Sequence, residues 1–314
     1  MNKIAFVFPG QGAQYVGMAM DFVEQQPEFK EILNKFDQDN NVELYRIMSE
    51  GPDSDLTDTK FTQPAILFHS IVAWKTLTRK LDITPKFVAG HSLGEFTSLV
   101  ANGVLSLSDA MYLVHRRGQF MIEANDGKPF AMAAIIGLDS QTVTEICKEA
   151  EASGIVIPAN FNSPVQTVIS GSKEGVEKAM ELAKNRGAKR AIPLNVGGPF
   201  HSPLIEKAGL WLTEEMEKLS FKDTTIPLVS NVDAQPHTLA EKIKENLAKQ
   251  VTSSVRWIES VQHMIDSGIE LFVEFGPQKV LSGMIKKIDK NISVVNVDKF
   301  EDIENAIEVI NEYV

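Results

Sequence analysis

The sequence has one cysteine and lacks any long uninterrupted hydrophobic run. A disulfide needs two cysteines, so Cys147 cannot form one within the chain, and its polar, helix-prone surroundings favour a structural role. Because no run of about 18 apolar residues occurs, the sequence predicts no membrane-spanning helix. The first apolar run, Ile4–Phe8, is too short for the core of a signal peptide. These absences lead us to expect a soluble, cytoplasmic protein.

Positive charge is also scarce, because 42 acidic residues outnumber 31 basic ones and leave a net charge of −11. Nucleic-acid-binding proteins usually present a basic face, so this balance argues against a nucleic-acid partner. An acidic protein partner would need a local basic patch against the unfavourable overall field. Two groups of basic residues are available for such a patch: Lys184, Arg186, Lys189 and Arg190 in one, and Lys279, Lys286 and Lys287 in the other. Most such groups in proteins are solvated surfaces.

The common sequence patterns for metals and nucleotides are missing as well. The chain has no P-loop, no paired-cysteine zinc pattern and no HExxH sequence. The segment Gly10-Gln11-Gly12 is not a dinucleotide fingerprint, because the position that needs a third glycine is Tyr15. We therefore expect no metal and no bound cofactor.

Strand and helix patterns alternate along most of the 314 residues. Ile4–Phe8 is a β-prone apolar run typical of a strand buried on both faces, and residues 87–89 form a second short strand. Such alternation predicts an α/β fold, with a largely parallel sheet covered by helices on both faces. Thr62 is the predicted N-cap of a long helix that has Pro64 in its first turn. Phe275-Gly276-Pro277 is predicted to turn the chain into its last helix.

Residues 129–195 have a different order of elements. Strands are predicted at residues 131–136, 155–160, 166–170 and 189–194, and helices at residues 140–152 and 173–185. The order βαββαβ is that of a ferredoxin-like unit. We therefore predict a large discontinuous α/β domain (residues 1–127 and 196–314) and a small ferredoxin-like subdomain (residues 128–195) inserted into it.

The strongest chemical signal is the sequence Gly90-His91-Ser92-Leu93-Gly94, which lies between a predicted strand and a predicted helix. A strand-to-helix turn this tight holds its central serine in a strained conformation, and the flanking glycines let neighbouring elements approach closely. The serine hydroxyl is then exposed above a helix N-terminus, where backbone N–H groups can stabilise a developing oxyanion. This context predicts that Ser92 is a nucleophile.

A nucleophilic serine needs a base, and histidine is the first residue type to consider. The chain has six histidines: His69, His91, His115, His201, His237 and His263. His201 is modestly favoured, because it lies in a loop after a predicted strand, a common place for catalytic groups on a rigid scaffold. His91 adjoins Ser92 and is expected to diverge from it on the sharp turn. No acidic residue stands out as a partner for the base, and Asp223 and Asp233 both stay open.

Two further features favour acyl chemistry. The loop after the first strand is a candidate oxyanion loop, in which the backbone N–H of Gln11 would act together with that of Leu93. Arg117 lies in a helix that is apolar on one face. If its side chain turns inward, the planar guanidinium offers two parallel hydrogen bonds to a substrate carboxylate. Arginines on helices more often face solvent, so the residues alone leave both interpretations open.

These segments together resemble the malonyl-CoA:acyl-carrier-protein transacylase family, and the likeness extends over essentially the whole chain. The matching segments, in family order, are Phe8-Pro9-Gly10-Gln11-Gly12-Ala13-Gln14, Thr62-Gln63-Pro64-Ala65, Gly90-His91-Ser92-Leu93-Gly94-Glu95, Arg117-Gly118, Gly198-Pro199-Phe200-His201 and Phe275-Gly276-Pro277. The resemblance implies a hydrolase-like core that carries the ferredoxin-like subdomain.

The resemblance also implies the catalytic roles of residues at matching positions. Ser92 would be the nucleophile and His201 its base, while Gln11 and Leu93 would provide the oxyanion N–H groups. In this family a backbone carbonyl orients the histidine instead of an acid, and the matching position is similar to Gln250. That arrangement would explain the absence of a distinctive acidic residue.

On the substrate side, the resemblance implies that Arg117 binds a malonyl carboxylate, with Gln63 and Phe200 as further substrate-binding residues. A phenylalanine just before the histidine is similar to malonyl-selective members. The implied reaction moves a malonyl group from malonyl-CoA, a substrate and not a cofactor, to the phosphopantetheine thiol of acyl carrier protein. It would proceed through a malonyl-serine and supply fatty-acid synthesis. A monomer is expected, since nothing in the sequence demands a dimer.

Three alternatives stay open at this point. A trans-acting acyltransferase that loads a polyketide synthase would share every motif. A serine hydrolase or thioesterase would use the same Ser92 and His201, although Arg117 and the lack of a distinctive acid argue against it. A non-catalytic carrier-binding module is disfavoured because all three of these side chains are intact.

Overall fold

A computed structural model describes residues 3–314 and has an α/β fold with two separate sheets. The larger sheet has the strand order β10-β9-β1-β2-β7-β8, in which the first five strands are parallel and β8 is antiparallel to β7. Its strands are β1 (Ile4–Phe8), β2 (Phe87–Gly90), β7 (Leu228–Val229), β8 (Pro236–His237), β9 (Leu271–Phe275) and β10 (Ser293–Val297). The predicted fold class is confirmed.

Helices connect the strands and cover the sheets. Within the described residues they are α1 (Met20–Gln25), α2 (Glu28–Asn40), α3 (Leu44–Glu50), α4 (Asp53–Thr57), α5 (Thr59–Lys80), α6 (Leu93–Ala101), α7 (Leu107–Glu123), α8 (Ser140–Ala150), α9 (Lys173–Asn185), α10 (Glu206–Met216), α11 (Ala240–Gln250), α12 (Trp257–Asp266), α13 (Val280–Ile288) and α14 (Asp302–Asn311). Pro203–Ile205 form a separate 3₁₀ turn directly before α10. In the part of the chain that the structure describes, no helix is both long enough and apolar enough to cross a membrane.

The central strand β1 explains why this sheet has a core on each face. All of its residues are buried. Side chains alternate between the two faces of a strand, so Phe6 and Phe8 pack into one hydrophobic cluster while Ala5 and Val7 pack into another. A strand with no solvent-facing side is therefore an unbroken apolar run, as the sequence shows.

The smaller sheet is antiparallel and has the order β4-β5-β3-β6. Its strands are β3 (Phe130–Ile136), β4 (Val156–Ser163), β5 (Gln166–Ser172) and β6 (Arg190–Pro193). With α8 and α9 they form the predicted ferredoxin-like βαββαβ unit. Alternation along β3 buries Ala133 and Ile135 in a cluster of this unit, whereas Met132 and Ala134 pack into the main core. The domain boundaries at residues 127/128 and 195/196 stay a prediction.

The start of α5 differs from the prediction. Asp58 is its N-cap, and the carboxylate accepts a hydrogen bond from the backbone N–H of Lys60. Thr62 lies inside the helix, where its hydroxyl donates to the backbone carbonyl of Asp58 at 3.1 Å. The prediction of Thr62 as N-cap is therefore wrong, because Asp58 already provides an acceptor for the free N–H groups of the first turn.

The internal proline of α5 creates a contact with α7. Pro64 has no N–H, so the carbonyl of Lys60 lacks its usual partner within the helix. His115 of α7 compensates, with its Nδ1 atom 2.8 Å from that carbonyl oxygen. Gly118, one turn further along α7, permits this approach, because a Cβ atom there would lie 2.8 Å from the Lys60 Cα atom. The two helices are thus joined near the point where both enter the site described below.

The C-terminal prediction is also wrong in one respect. The helix after Phe275-Gly276-Pro277 is α13, but β10 and α14 follow it. β10 pairs in parallel with β9 and forms one edge of the larger sheet. Its sequence, Ser293–Val297, is rich in β-branched residues, which favour an extended backbone.

Candidate active site

Ser92 lies in a strained turn between β2 and α6. Its φ and ψ angles are 52° and −104°, which is unusual for a residue with a side chain. Close packing on both sides requires glycine. A Cβ atom on Gly90 would lie 1.9 Å from the carbonyl carbon of Gly94, and one on Gly94 would lie 1.9 Å from the carbonyl oxygen of Phe8. The motif therefore has the geometry of a nucleophile elbow.

Side chains from distant segments hold the backbone of this turn. The N–H of Ser92 donates to Oδ1 of Asn231 at 2.7 Å, and the Nδ2 of Asn231 donates to the Gly90 carbonyl at 2.7 Å. The Ser92 carbonyl accepts from Nε2 of Gln250 at 3.0 Å. Asn231 follows β7, the strand beside β2, and the carboxyl ends of adjacent parallel strands meet at one edge of the sheet.

His201 is placed to act as a base towards Ser92. Its Nε2 atom lies 2.8 Å from the Ser92 Oγ atom, and its Nδ1 atom lies 2.9 Å from the backbone carbonyl oxygen of Gln250. A carbonyl can only accept a hydrogen bond, so Nδ1 carries the proton and the lone pair of Nε2 faces the hydroxyl. The two acidic candidates lie elsewhere: Asp223 accepts from the N–H of Ala240, and Asp233 pairs with His237.

Burial and a neighbouring cation keep the imidazole neutral. Burial lowers the pKa of His201 to about 3, and the positive charge of Arg117 acts in the same direction. An imidazole with such a pKa is uncharged at neutral pH and can take a proton only as the reaction supplies one. A neutral base beside the hydroxyl is the state that nucleophilic attack requires.

Arg117 turns inward from α7 and is buried against the Ser92 hydroxyl. Its Nη2 atom donates to Ser92 Oγ at 3.0 Å and to Oε1 of Gln250 at 3.0 Å, while Nη1 donates to Oε1 of Gln63 at 2.7 Å. The guanidinium carbon also lies 5.0 Å from the ring centroid of Phe96. Burial lowers the pKa of Arg117 to about 9, so the side chain keeps its charge at neutral pH. A buried cation beside a nucleophile is suited to an anionic substrate group.

These groups face one cavity of about 240 Å³. Its lining includes Gln11, Gln63, Ser92, Leu93, Arg117, Phe200 and His201, together with apolar side chains such as Met121, Met132, Leu194 and Val280. Gly10 brings the loop after β1 against the elbow, because a Cβ atom there would lie 2.6 Å from the His91 carbonyl oxygen. Leu93 is the first residue of α6, so its N–H has no partner within the helix.

The structure therefore places every sequence-predicted site residue either at this cavity or, for Gln250, in direct contact with its lining. Sequence reasoning missed the residues that support them. Glu95 accepts from Gln250, Asn231 holds the Ser92 backbone, and the Oδ1 atom of Asn162 lies 2.8 Å from Nε2 of His91. Of these residues, only Glu95 lies in a segment that the sequence singled out, the one that begins at Gly90, and no role was assigned to it. Among residues 3–314, no group of three or more His, Cys, Asp or Glu side chains is placed to hold a metal ion.

A serine on an elbow, a neutral imidazole and a buried arginine in one cavity define an acyl-transfer site, and comparison with known proteins agrees. Residues 5–303 match the acyl transferase domain family. Malonyl CoA-acyl carrier protein transacylases are similar over nearly the whole chain. The one from Bacillus subtilis strain 168 is 45% identical over 313 residues, which cover 99% of this chain and 98% of that protein. The one from Staphylococcus aureus strain MRSA252 is 41% identical over 305 residues, 97% of this chain and 98% of that protein.

Solved structures give the same result. The malonyl-CoA:acyl carrier protein transacylase of Xanthomonas oryzae pv. oryzae superposes with a TM-score of 0.94 at 41% identity, covering 98% of both chains. A malonyl-transacylase in complex with a type II polyketide acyl carrier protein superposes with a TM-score of 0.94 at 38% identity, covering 98% of this chain and 99% of that one. This chain belongs to the malonyl CoA-acyl carrier protein transacylase family.

Proposed function

We propose that the protein transfers a malonyl group from malonyl-CoA to the phosphopantetheine thiol of acyl carrier protein through a covalent malonyl-serine at Ser92. The observation that carries this proposal is the position of Arg117. Its buried guanidinium lies 3.0 Å from the Ser92 hydroxyl, so the site offers a cation to an acyl group that has a free carboxylate. Membership of the transacylase family supports the same donor and acceptor.

The first half-reaction forms the malonyl-serine. Ser92 Oγ attacks the thioester carbonyl carbon while its proton passes to Nε2 of His201, and the carbonyl oxygen becomes an oxyanion. The backbone N–H groups of Gln11 and Leu93 stabilise that oxyanion. When the tetrahedral intermediate collapses, the C–S bond breaks, and the leaving thiolate of coenzyme A takes the proton from His201.

The second half-reaction uses the same groups in reverse. The phosphopantetheine thiol enters the cavity and gives its proton to His201, and its sulfur attacks the carbonyl carbon of the malonyl-serine. Collapse breaks the C–O bond, and Ser92 Oγ recovers the proton from His201. The carbonyl of Gln250 keeps the imidazole in the required tautomer throughout, since it accepts from Nδ1 at 2.9 Å.

The malonyl carboxylate is bound by Arg117 through paired charge-assisted hydrogen bonds. Gln63 holds Nη1 of that guanidinium at 2.7 Å and so fixes the plane in which the carboxylate must lie. Phe200 forms part of the apolar wall beside the reacting carbon. In the bound state the carboxylate replaces the Ser92 hydroxyl as the acceptor of Nη2, which frees the hydroxyl for attack.

The cellular setting is part of the same proposal. We place the enzyme in the cytoplasm as a monomer without a bound cofactor, where it supplies fatty-acid synthesis. Loading of a polyketide synthase is the second candidate, favoured by the relative that is bound to a type II polyketide acyl carrier protein. Competition between the two kinds of carrier protein for the malonyl-enzyme separates these pathways.

Intact-protein mass spectrometry tests the chemistry. Wild type and Ser92→Ala are mixed briefly with malonyl-CoA or acetyl-CoA, and carrier protein is then added. We expect a malonyl adduct on the wild type alone, which the carrier discharges with equal gain of malonyl on its own thiol. Release of free malonate without transfer would identify a hydrolase and overturn the proposal.

A further inference from the structure

Glu95 is a fully buried carboxylate directly behind the nucleophile that none of the steps above uses. It lies in the first turn of α6, where the helix dipole favours a negative charge. A single oxygen, Oε2, accepts two hydrogen bonds: from the backbone N–H of Asn231 at 3.1 Å and from Nε2 of Gln250 at 2.7 Å. Burying a carboxylate is costly unless its partners compensate, so its position demands an explanation.

Asn231 and Gln250, which donate to Glu95, also contact the three side chains that the proposed reaction uses most directly. Asn231 binds the N–H of Ser92. Gln250 binds the Ser92 carbonyl and the guanidinium of Arg117 through its side chain, and it binds His201 through its backbone carbonyl. Glu95 is therefore connected through one intervening residue to each of Ser92, His201 and Arg117.

The side-chain amide of Gln250 works in only one orientation. Arg117 is a donor and requires the amide oxygen, whereas the Ser92 carbonyl and Glu95 are acceptors and require the amide nitrogen. An amide has nearly the same shape after a half-turn, so its neighbours must select the orientation. The 2.7 Å contact with Glu95 is the shortest of the three and anchors the nitrogen end.

We propose that Glu95 is a positioning residue, which fixes the amide of Gln250 and thereby aligns Ser92 and Arg117 for malonyl transfer. This inference rests on the proposed function. The role belongs to the acceptor geometry of Oε2 and not to the charge. A glutamine at position 95 can place its amide oxygen where Oε2 lies, whereas an aspartate cannot, because its carboxylate is drawn back by roughly 1.5 Å.

The experiment compares Glu95→Gln and Glu95→Asp in wild type and in a Gln250→Met background. Methionine keeps the chain length and the backbone carbonyl of position 250 but removes the amide. Malonylation and acetylation of Ser92 are timed by mass spectrometry at about pH 8, because burial raises the pKa of Glu95 to about 7 and the carboxyl is mainly ionised there. Melting temperatures are measured in parallel.

We expect Glu95→Asp to lower kcat/KM for malonyl-CoA by about tenfold or more, and the malonyl-to-acetyl ratio to fall with it. Glu95→Gln should stay within about threefold of wild type. In the Gln250→Met background, Glu95→Asp should cost less than about twofold, because the amide through which it acts is gone.

Two results would overturn the inference. One is a loss in Glu95→Gln as large as that in Glu95→Asp. The other is a loss in Glu95→Asp that is undiminished when Gln250 is methionine, or that lowers the melting temperature without changing the malonyl-to-acetyl ratio. Wild type is measured in the same assay, so its failure to form a malonyl adduct would refute the proposed function instead.

Discussion

The Nη2 atom of Arg117 lies 3.0 Å from the Oγ atom of Ser92, so a buried cation touches the hydroxyl that we propose as the nucleophile. This charge is the second cause, after burial, of the low pKa of His201. A carboxylate bound to Arg117 offsets that charge. His201 should therefore be a stronger base when the acyl donor has a carboxylate than when the donor is uncharged. This effect favours the charged donor in addition to its ion pair with Arg117.

Replacing the arginine should change the choice of acyl donor. In Arg117→Ala we expect kcat/KM for malonyl-CoA to fall by about 100-fold or more, because a buried carboxylate is left without its partner. The acetyl group has no carboxylate, so kcat/KM for acetyl-CoA should fall less than kcat/KM for malonyl-CoA. Rates of Ser92 acylation with both donors provide the measurement.

The matched control is Arg116→Ala. Arg116 precedes Arg117 on α7, but it pairs with Gln119 and lies 3.8 Å from Glu215, outside the lining of the cavity. Its removal should leave the ratio of malonyl to acetyl transfer unchanged. An unchanged ratio in Arg117→Ala itself would contradict the carboxylate-binding role.

The protonation state of His201 should respond to the same substitution. Arg117→Ala removes a positive neighbour, so the pKa of His201 should rise from about 3. NMR of ¹³C-labelled imidazole, with the signal assigned by its loss in His201→Ala, follows this titration directly. A wild-type His201 that titrates near the ordinary value of about 6.5 would contradict the buried, neutral base.

A second buried carboxyl should make stability depend on pH. Glu274 of β9 accepts from the N–H groups of Leu281 and Ser282 in α13, and burial raises its pKa to about 7 from 4.5. The folded protein then binds more protons than the unfolded chain between these values. The contribution of Glu274 to the free energy of unfolding is fully present below about pH 4.5 and is lost as the pH rises through about 7.

In Glu274→Gln this decline should be absent, so that the difference in unfolding free energy from wild type changes by about 1–3 kcal/mol across the window. Chemical denaturation at a series of pH values measures it. Glu270→Gln is the control, because Glu270 is half exposed and pairs with Lys3 at the protein surface. A constant difference for Glu274→Gln would refute the assignment.

Of the basic residues in the sequence, Lys189 and Arg190 should help to bind an acidic carrier protein. Both are exposed, Lys189 just before β6 and Arg190 as its first residue, and the strand is followed by Leu194 in the cavity wall. Reversing both charges to glutamate should raise KM for carrier protein by about tenfold and weaken its salt dependence. Acylation by malonyl-CoA should change much less.

The same charge change on Lys148 and Lys178 provides the comparison, because these residues lie on α8 and α9. Equal effects of the two double variants would show that only the overall charge matters and would remove the docking assignment. Steady-state kinetics with carrier protein as the varied substrate, at low and high salt, distinguish these outcomes.

Local chemistry explains which parts of this site were predictable. The elbow around Ser92 is encoded by five consecutive residues, and its glycines and flanking elements have the packing that the motif predicts. His201 was only modestly favoured, because a loop after a strand is a general location. The role of Gln250 came from family resemblance alone, since its functional group towards His201 is a backbone carbonyl that every residue has.

The supporting network was not predictable from patterns. Glu95, Asn231 and Gln250 are brought together from separate segments, and the direction of an amide leaves no periodic trace in a sequence. β10 was missed for a different reason. It is a short edge strand that follows the helix predicted to be the last. Its β-branched residues favour an extended backbone but do not reveal the pairing with β9.

The proline of α5 has a consequence for substrate choice. Lys60, whose carbonyl Pro64 cannot pair, precedes Gln63 by one turn, and His115, which takes that carbonyl, precedes Arg117 by two residues. The Lys60 carbonyl, which in most helices would accept a hydrogen bond from its own helix, thus holds α7 against α5 beside the guanidinium. Gln63 and Arg117 thus extend into the cavity from two helices that are joined beside them, and spreading α5 from α7 to admit a longer or branched acyl group would break that contact.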